Sequence, residues 1–492
     1  MGWFWTSQAQ KPIANRWDLS TPLLTLSRQD VWTIGDACLG TLVTGATGAG
    51  KTTGPGAAIV LALLRAKCGG LVLAAKRGER QSWEEYCRLT GRIDDLVIFD
   101  ASGRHRFSFL DEELQRAGAG AGLTENIVNL LSTCLEITQR NGGQSGREDE
   151  GYWKQAQKQL VRNAVDLLVM SKGRVTVPDL YRAVVSAPTS REQLASDEWK
   201  RGSFCFQCLR EADAAPKSSR AARDFELVAD YFMCEFPGLS DRTRSVIVST
   251  FTSMVDVLNR SLFRDLFSDG TTIRPEDTLE GKIILVDLPV KEFAEAGAFA
   301  AVLWKYCWQR AVERRDVVAN PRPVFLFADE FQHFSVSYDQ IFQTTARSSR
   351  AMTVYLTQNI PNLLAAFGGA QAKAMTDSLV GNLNTKIWTC NGDPETNQWA
   401  ASVIGRSRQL FMNSSKSQAG IDWLALAGLA ESGPTTAGFS EQMDFDVDPQ
   451  TFTVLRTGGP PKWEVDSIVF QGGRQFQANH ATWLPVTFRQ HL

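Results

Sequence analysis

The chain has 492 residues, 43% of them hydrophobic, and a formal net charge of −2 from 52 basic and 54 acidic residues. That length holds one large core or two to three domains. The near-neutral balance excludes a surface coated in positive charge for nucleic acid, but not a basic stripe or pore.

The N-terminal "MGWFWTSQAQ" is apolar at its tip but too short for a signal core or a membrane span, so the chain as given reads as soluble. "LGTLV" (Leu39 to Val43) is a short apolar run of the kind that suits a strand buried on both faces. After it come Gly45, Ala46, Thr47, Gly48, Ala49, Gly50, Lys51 and Thr52, which fit G-x-x-x-x-G-K-[ST] at every fixed position, and then an apolar helical pattern. Glycines let successive N–H groups turn toward phosphates, and the helix N-terminus adds its positive end. Lys51 is expected on the β- and γ-phosphates of ATP, the Thr52 hydroxyl on Mg²⁺, and Thr53 near the α-phosphate.

"LVLAA" (Leu71 to Ala75) and "LVIFDAS" (Leu96 to Ser102) read as further strands. From about Leu110 to Ser245 the strand signal vanishes. "GYWKQAQKQLVRNAVDLLVM" places Trp153, Ala156, Leu160, Ala164, Leu167 and Leu168 on one helical stripe. This third of the chain reads as an all-α insertion, with the glycine-rich "NGGQSGREDEG" from Asn141 to Gly151 as a mobile stretch inside it. Cys205 and Cys208 form a C-x-x-C, but His105, His333, His480 and His491 are not spaced to complete a zinc site. The nine cysteines therefore read as buried or free thiols in a reducing compartment. The basic "PKSSRAARD", with Lys217, Arg220 and Arg223, reads as a solvated helix face before it reads as a DNA contact.

Beyond the insertion, "KIILVDLP", "VFLFADE", "MTVYLTQN" and "TKIWTC" resume the strand pattern. Two of them end in an aspartate, Asp287 and Asp329, and each is a candidate for the metal shell. Only Asp329 is followed by a second acid, Glu330, which suits a water attacking the γ-phosphate. Gln358, at the end of "VYLTQN", falls where a polar strand end meets the ligand crevice of an open α/β sheet. "GDPETNQWA" gives Asp393 as N-cap and Pro394 as first helical residue, with no catalytic role for Asp393 or Glu395. The tail after Pro460 has short alternating pieces that add edge strands or wrap a neighbour.

The fold class expected is α/β: a RecA-like P-loop domain with a mainly parallel sheet and an inserted all-α domain. Residues 1–110 and 246–492 form the two parts of the ATPase domain, and 111–245 the insertion.

The order of P-loop, α insertion, "IILVDLP", "FLFADEF", "ARSSRAMTVYLTQN" and "NLNTKIWTCNGDPETNQWAASVIG" resembles the type IV secretion coupling proteins, conjugative DNA-transfer ATPases of the HerA–FtsK class. The likeness runs from about Leu39 to Ser407. "EGYWKQAQKQLVRNAV" resembles the Trp-containing helix that opens the family's all-α domain. "VLAAKRGER" keeps the family's Lys-Gly-Glu order in Lys76, Gly78 and Glu79, but alanine stands where an acid is usual. "FDASGRHRFSFLD" lacks the Asn-Pro-Leu motif, and the family's N-terminal transmembrane helices have no counterpart here. The resemblance implies an ATP-driven motor, a ring of six subunits with DNA in its pore, in the cytoplasm and brought to the inner face of the cytoplasmic membrane through partners. It implies relaxase or relaxosome and secretion-channel proteins as partners. It maps an arginine finger, given by the next subunit, onto Arg347, with Arg350 as the nearby alternative. Two other readings stand beside it: a soluble DNA pump of a mobile element or defence system, and a nucleotide-gated platform that recruits cargo without translocating.

Overall fold

A computed structural model describes residues 16–118, 120–141, 150–416 and 435–490. The apolar tip and most of the glycine-rich stretch after Asn141 lie outside them, as does the Trp153 side chain. The strands, in chain order, are β1 (Pro22–Thr25), β2 (Val31–Thr33), β3 (Thr41–Thr44), β4 (Gly69–Leu73), β5 (Leu96–Asp100), β6 (Ile283–Asp287), β7 (Val324–Ala328), β8 (Ala351–Thr357), β9 (Thr385–Trp388), β10 (Arg406–Lys416), β11 (Thr435–Phe445), β12 (Glu464–Gln471) and β13 (Trp483–Arg489).

Nine of these form one sheet in the order β13-β12-β9-β3-β8-β7-β4-β6-β5. The seven from β9 to β5 are parallel, and β12 and β13 join antiparallel at the β9 edge. Side chains alternate between two buried faces, as a parallel sheet covered on both sides requires. In β7, Leu326 and Ala328 enter one core while Phe325 and Phe327 enter the other. The tail thus supplies edge strands, and its inward Leu484, Val486 and Phe488 alternate with outward Pro485 and Thr487. Proline is tolerated there because an edge strand has no further ladder partner.

The helices between β5 and β6 run from Phe109–Gln115 to Ser261–Ser268, about one helix pair beyond the expected boundary at 245. The reason is packing. Phe267 sits 5.4 Å from the Phe99 ring of β5, so the chain stays helical until it has covered the sheet. Trp304, on the long helix Val290–Arg314, packs on Phe99 and Phe107 at 5.1 and 4.5 Å. Leu160, Ala164, Leu167 and Leu168 are fully buried along the expected stripe. The insertion and one face of the sheet share a single continuous core.

Lys217 departs from the solvated-face expectation. Its ammonium donates to the carbonyls of Asp213 and Ala215 at 2.7 and 2.9 Å, capping the helix Phe204–Ala214, while Arg220 and Arg223 are exposed. Positive charge at a helix C-terminus satisfies orphan carbonyls and the dipole together. Cys205 and Cys208 are buried free thiols, and no acid, His or Cys cluster among the described residues is placed to hold a metal by itself. No helix among the described residues is long and apolar enough to cross a membrane.

Candidate active site

The strand order sets the site. The P-loop follows β3, and the Asp329–Glu330 pair follows β7. Between them lies β8, which ends in Thr357 and Gln358. All three ends point the same way, so three loops meet at one crevice at the carboxyl edge of the sheet.

The P-loop bends tightly over its neighbours. A Cβ on Gly45 would lie 1.8 Å from the Thr389 hydroxyl at the end of β9. Gly50 has φ of 78°, and a Cβ there would lie 2.4 Å from Val465 and 2.8 Å from the Thr457 carbonyl. Only glycine fits either position. Thr47 and Gly48 are exposed at the apex, Ala49 is buried, and Ala46 gives its N–H to Cys390 O at 2.9 Å. The helix that follows starts as a π-turn, Thr52–Gly56, with Pro55 inside it. Pro55 has no N–H and its ring crowds the carbonyl four residues back, so Gly56 N reaches Lys51 O instead, at 2.9 Å. The tail folds back on its own P-loop: Gln490 Nε2 donates to Thr53 Oγ1 at 2.7 Å.

Lys51, Asp329 and Glu330 are buried. Thr52 Oγ1 donates to Asp329 Oδ2 at 3.0 Å, and Lys51 Nζ lies 3.4 Å from Glu330 Oε1. Gln358 Nε2 is 3.3 Å from Glu330 Oε2, while Asn391 holds the Gln358 carbonyl at 2.9 Å. Glu330 has φ of 50° and ψ of 47°, a left-handed conformation that costs a non-glycine residue roughly 1–2 kcal/mol. The Asp329 carboxylate accepts the Glu330 N–H at 2.9 Å and helps hold that turn.

Gln332 escaped the sequence reading, and Lys76 entered it only as part of a family motif with no role given. Gln332 Nε2 donates to Glu330 Oε2 at 2.8 Å, and its Oε1 accepts from Thr357 at 3.0 Å. Lys76 Nζ lies 3.1 Å from Asp329 Oδ2 and 3.2 Å from Glu330 Oε1. The Lys76 loop is anchored by Glu79, whose Oε1 accepts the N–H groups of Ala75 and Lys76 at 3.2 and 3.0 Å. Lys-Gly-Glu order was the available signal for Lys76; nothing in a sequence marks Gln332.

Charge balance follows from this geometry. Burial pushes the Glu330 carboxyl up, but the Gln332 hydrogen bond and the Lys51 and Lys76 ammoniums outweigh it and bring it down to about 2. Burial likewise works against the charged Lys76, yet Asp329 and Glu330 raise it above the ordinary lysine value. Burial, with the Asp329 charge behind it, pushes Glu79 up to about 8, against the Lys76 ammonium and the two N–H groups that it accepts. The oxygens of Thr52 and Asp329 suit a hard divalent cation that takes its other ligands from phosphates and water. The Lys76 ammonium already occupies the position of a cation on Asp329, which fits such an ion.

Asp287 lies elsewhere. It ends β6, two strands from β7, and stands 3.7 Å from Arg80 beside Asp100. Arg347 is also remote from the crevice. It lies on the turn before β8, whose seven residues separate it from Gln358. At about 3.3 Å per residue that is roughly 23 Å along the strand. Arg350 is committed within its own chain, donating to Trp17 O at 2.7 Å and Pro321 O at 3.0 Å. Arg315 ties the same turn through Arg322 O at 2.7 Å and Arg350 O at 3.2 Å. Arg347 is exposed, and no side-chain hydrogen bond or ion pair holds its guanidinium among the described residues. Asp393 accepts Thr396 N at 2.9 Å, as an N-cap does.

No curated protein matches the chain significantly by sequence. Residues 323–437, from β7 to the start of β11, match the family model described as the TraM recognition site of TraD and TraG. Among solved structures, the unbound bacterial conjugative coupling protein TrwBdeltaN70 superposes with a TM-score of 0.57 at 12% identity, over 95% of this chain and 90% of that one. TrwB in complex with the non-hydrolysable ATP analogue ADPNP gives 0.58 at 13% identity, covering 96% and 91%. TrwB in complex with ADP and Mg²⁺ gives 0.59 at 12% identity, covering 96% and 90%. The RecA-like P-loop fold of the conjugative coupling proteins is therefore the fold of this chain, over nearly its whole length.

Proposed function

We propose that the protein is an ATP-hydrolysing motor that moves DNA, or a DNA–protein substrate, toward a conjugation or type IV secretion channel. The observation that carries this reading is the position of β8. Its carboxyl end brings Gln358 to Glu330 between the P-loop and Asp329, and its opposite end displays an exposed Arg347 that no side-chain hydrogen bond or ion pair holds among the described residues. One strand thus joins a nucleotide site to a surface arginine that its own site cannot use.

In this reading the P-loop and Lys51 cradle the ATP phosphates, and Thr52 and Asp329 would hold a Mg²⁺ that would supply positive charge to the developing phosphate charge. Glu330 orients the attacking water and Gln358 contacts it or the γ-phosphate. Arg347 reaches the γ-phosphate of the neighbouring subunit, so the working form is a homo-oligomeric ring, six subunits by likeness to the family. The match of residues 323–437 to the TraM recognition site of TraD and TraG supports a relaxosome protein of the TraM kind as partner. The test is ATP turnover with and without single- and double-stranded DNA, with mass measured under the same conditions. DNA-stimulated turnover by an oligomer is expected. Turnover indifferent to DNA would favour the recruitment platform instead.

A further inference from the structure

Lys76 carries more than a packing role. Its ammonium lies 3.1 Å from Asp329 Oδ2, the same oxygen that accepts the Thr52 hydroxyl at 3.0 Å, and 3.2 Å from Glu330 Oε1. These are the oxygens to which a divalent cation at Thr52 and Asp329 would be drawn. A monovalent ammonium and a divalent ion cannot both sit against one carboxylate oxygen at about 3 Å, because like charges at that range repel strongly even in a polar crevice.

The loop is built so that the ammonium can leave while the backbone stays. Glu79 pins the Ala75 and Lys76 N–H groups, and Arg77 pairs with Glu292 at 2.8 Å. The Lys76 side chain itself is 40% exposed, against 2% and 9% for its two partners, so solvent lies on the side toward which it would swing. Lys51 sits 3.4 Å from Glu330 but is 6% exposed and enclosed by the P-loop. Of the two lysines on this carboxylate pair, Lys76 is the one with room to move.

We infer that Lys76 is an internal counter-ion for Asp329 and Glu330 that competes with the divalent cation for them, and so sets how much metal the site needs. This rests on the nucleotide-site reading above, but not on DNA or on ring assembly. The ammonium holds the two carboxylates together and in place for the metal. A divalent cation taking these oxygens would displace the Lys76 ammonium toward solvent, to which its side chain is already 40% exposed.

The probe is Mn²⁺ alone, measured by the loss of its free electron-spin resonance signal on titration into the full chain without nucleotide. Wild type and Lys76→Arg, which keeps a cation on the stem, are expected to bind Mn²⁺ weakly. Lys76→Met and Lys76→Gln remove the competitor and are expected to bind about tenfold more tightly, the size of effect when a site is freed from a state that blocked it nine-tenths of the time. Adding Asp329→Asn to Lys76→Met should abolish the gain. Circular dichroism checks that each variant is folded, and two neutral replacements guard against one failing. Equal Mn²⁺ affinity in folded wild type and either neutral variant would overturn the inference, as would a gain that survives Asp329→Asn. A fluorescent ADP analogue separates the two claims. Failure of the wild type to bind it while the Mn²⁺ gain persists would sink the nucleotide-motor reading and leave the role of Lys76 intact.

Discussion

Glu136 accepts two hydrogen bonds from Ser337, from its backbone N–H at 2.8 Å and its hydroxyl at 2.5 Å. Glu136 belongs to the insertion helix Thr124–Asn141, and Ser337 ends the segment that begins at Glu330. On its other side that segment is tied by a buried pair. Lys305 donates to Phe334 O at 2.6 Å and to Asp339 Oδ2 at 2.5 Å, and Asp339 also accepts Val336 N at 2.8 Å. A displacement of the insertion helix therefore pulls on the turn that holds Glu330.

Glu136→Ala should uncouple the two. Losing two hydrogen bonds to a carboxylate costs roughly 1–3 kcal/mol locally, not globally, because the Lys305–Asp339 pair remains. Amide exchange across 331–337 should quicken while the sheet stays protected. ATP binding should persist, and stimulation of turnover by DNA should fall several-fold. Unchanged exchange and unchanged stimulation would show that Glu136 is only a surface tie.

Much of this site was legible because its parts lie at the ends of apolar runs. "LGTLV", "VFLFADE" and "MTVYLTQN" each name a strand and the functional residue after it, so Lys51, Asp329, Glu330 and Gln358 could be placed in one crevice once the sheet was parallel. Gln332 was not legible as a site residue, because it enters only through the left-handed turn at Glu330. For Lys76 the Lys-Gly-Glu order was a signal, but its contact with Asp329 follows only from β4 lying beside β7, which no local pattern states. The ribbon of β10 and β11 was missed for another reason: its two strands, "RSRQLFMNSSK" and "TTAGFSEQMDF", are largely polar and lack the apolar alternation that marks a half-buried strand.

The carboxylate at Glu330 should respond to its neighbours in a defined direction. If Lys51 cradles the phosphates as proposed, Lys51→Ala should abolish productive nucleotide binding. Glu330→Gln should bind nucleotide and not hydrolyse it. In wild type the carboxyl stays ionised down to about 2, so Glu330 sets no acid limb in the accessible range. Gln332→Ala removes a hydrogen bond to the charged form, which raises the Glu330 value. Direct titration of the Glu330 carboxyl, followed by its NMR shift, should place it higher in Gln332→Ala than in wild type. An unmoved titration in the folded variant would remove Gln332 from the site's charge balance.

Lys386 gives a stability prediction away from the chemistry. It lies on β9 beside Leu42 of β3, is 5% exposed, and donates to Leu383 O at 2.6 Å. Burial lowers its value to about 8. Between about pH 8 and the unfolded value near 10.5 the unfolded chain holds a proton that the folded chain has shed, so wild-type stability rises with pH across that window. Lys386→Met keeps the volume and loses the charge. A shift of that size is worth roughly 3 kcal/mol, less about 1 kcal/mol for the hydrogen bond. At pH 7 the variant should therefore be more stable by about 2 kcal/mol in urea melts, and the advantage should shrink above pH 8. A variant less stable at pH 7, or a gap that does not change with pH, would mean the lysine is not charged at a cost.

Arg347 links turnover to assembly. Arg350 and Arg315 are engaged in fixing the turn before β8, which leaves Arg347 exposed at the end of the strand remote from its own nucleotide site. If it acts in trans, a monomer binds ATP but lacks one positive charge at the transition state. Turnover per subunit should rise with protein concentration, or when DNA templates a ring. Arginine fingers are worth roughly 10³–10⁵ in rate in the GTPase cases, so even a partial effect is large. Arg347→Ala should bind nucleotide and oligomerise like wild type, yet lose most activity, while Arg350→Ala should instead lower stability by freeing the Trp17 and Pro321 carbonyls. Mixing Arg347→Ala with Glu330→Gln is the sharper test. Some interfaces in mixed rings then combine a wild-type Glu330 from one chain with a wild-type Arg347 from the next, and part of the activity should return. No recovery from rings shown to be mixed, while rings doped with wild-type subunits stay active in proportion, would count against the trans role. Concentration-independent turnover by a proven monomer would remove it outright, and with it the ring motor.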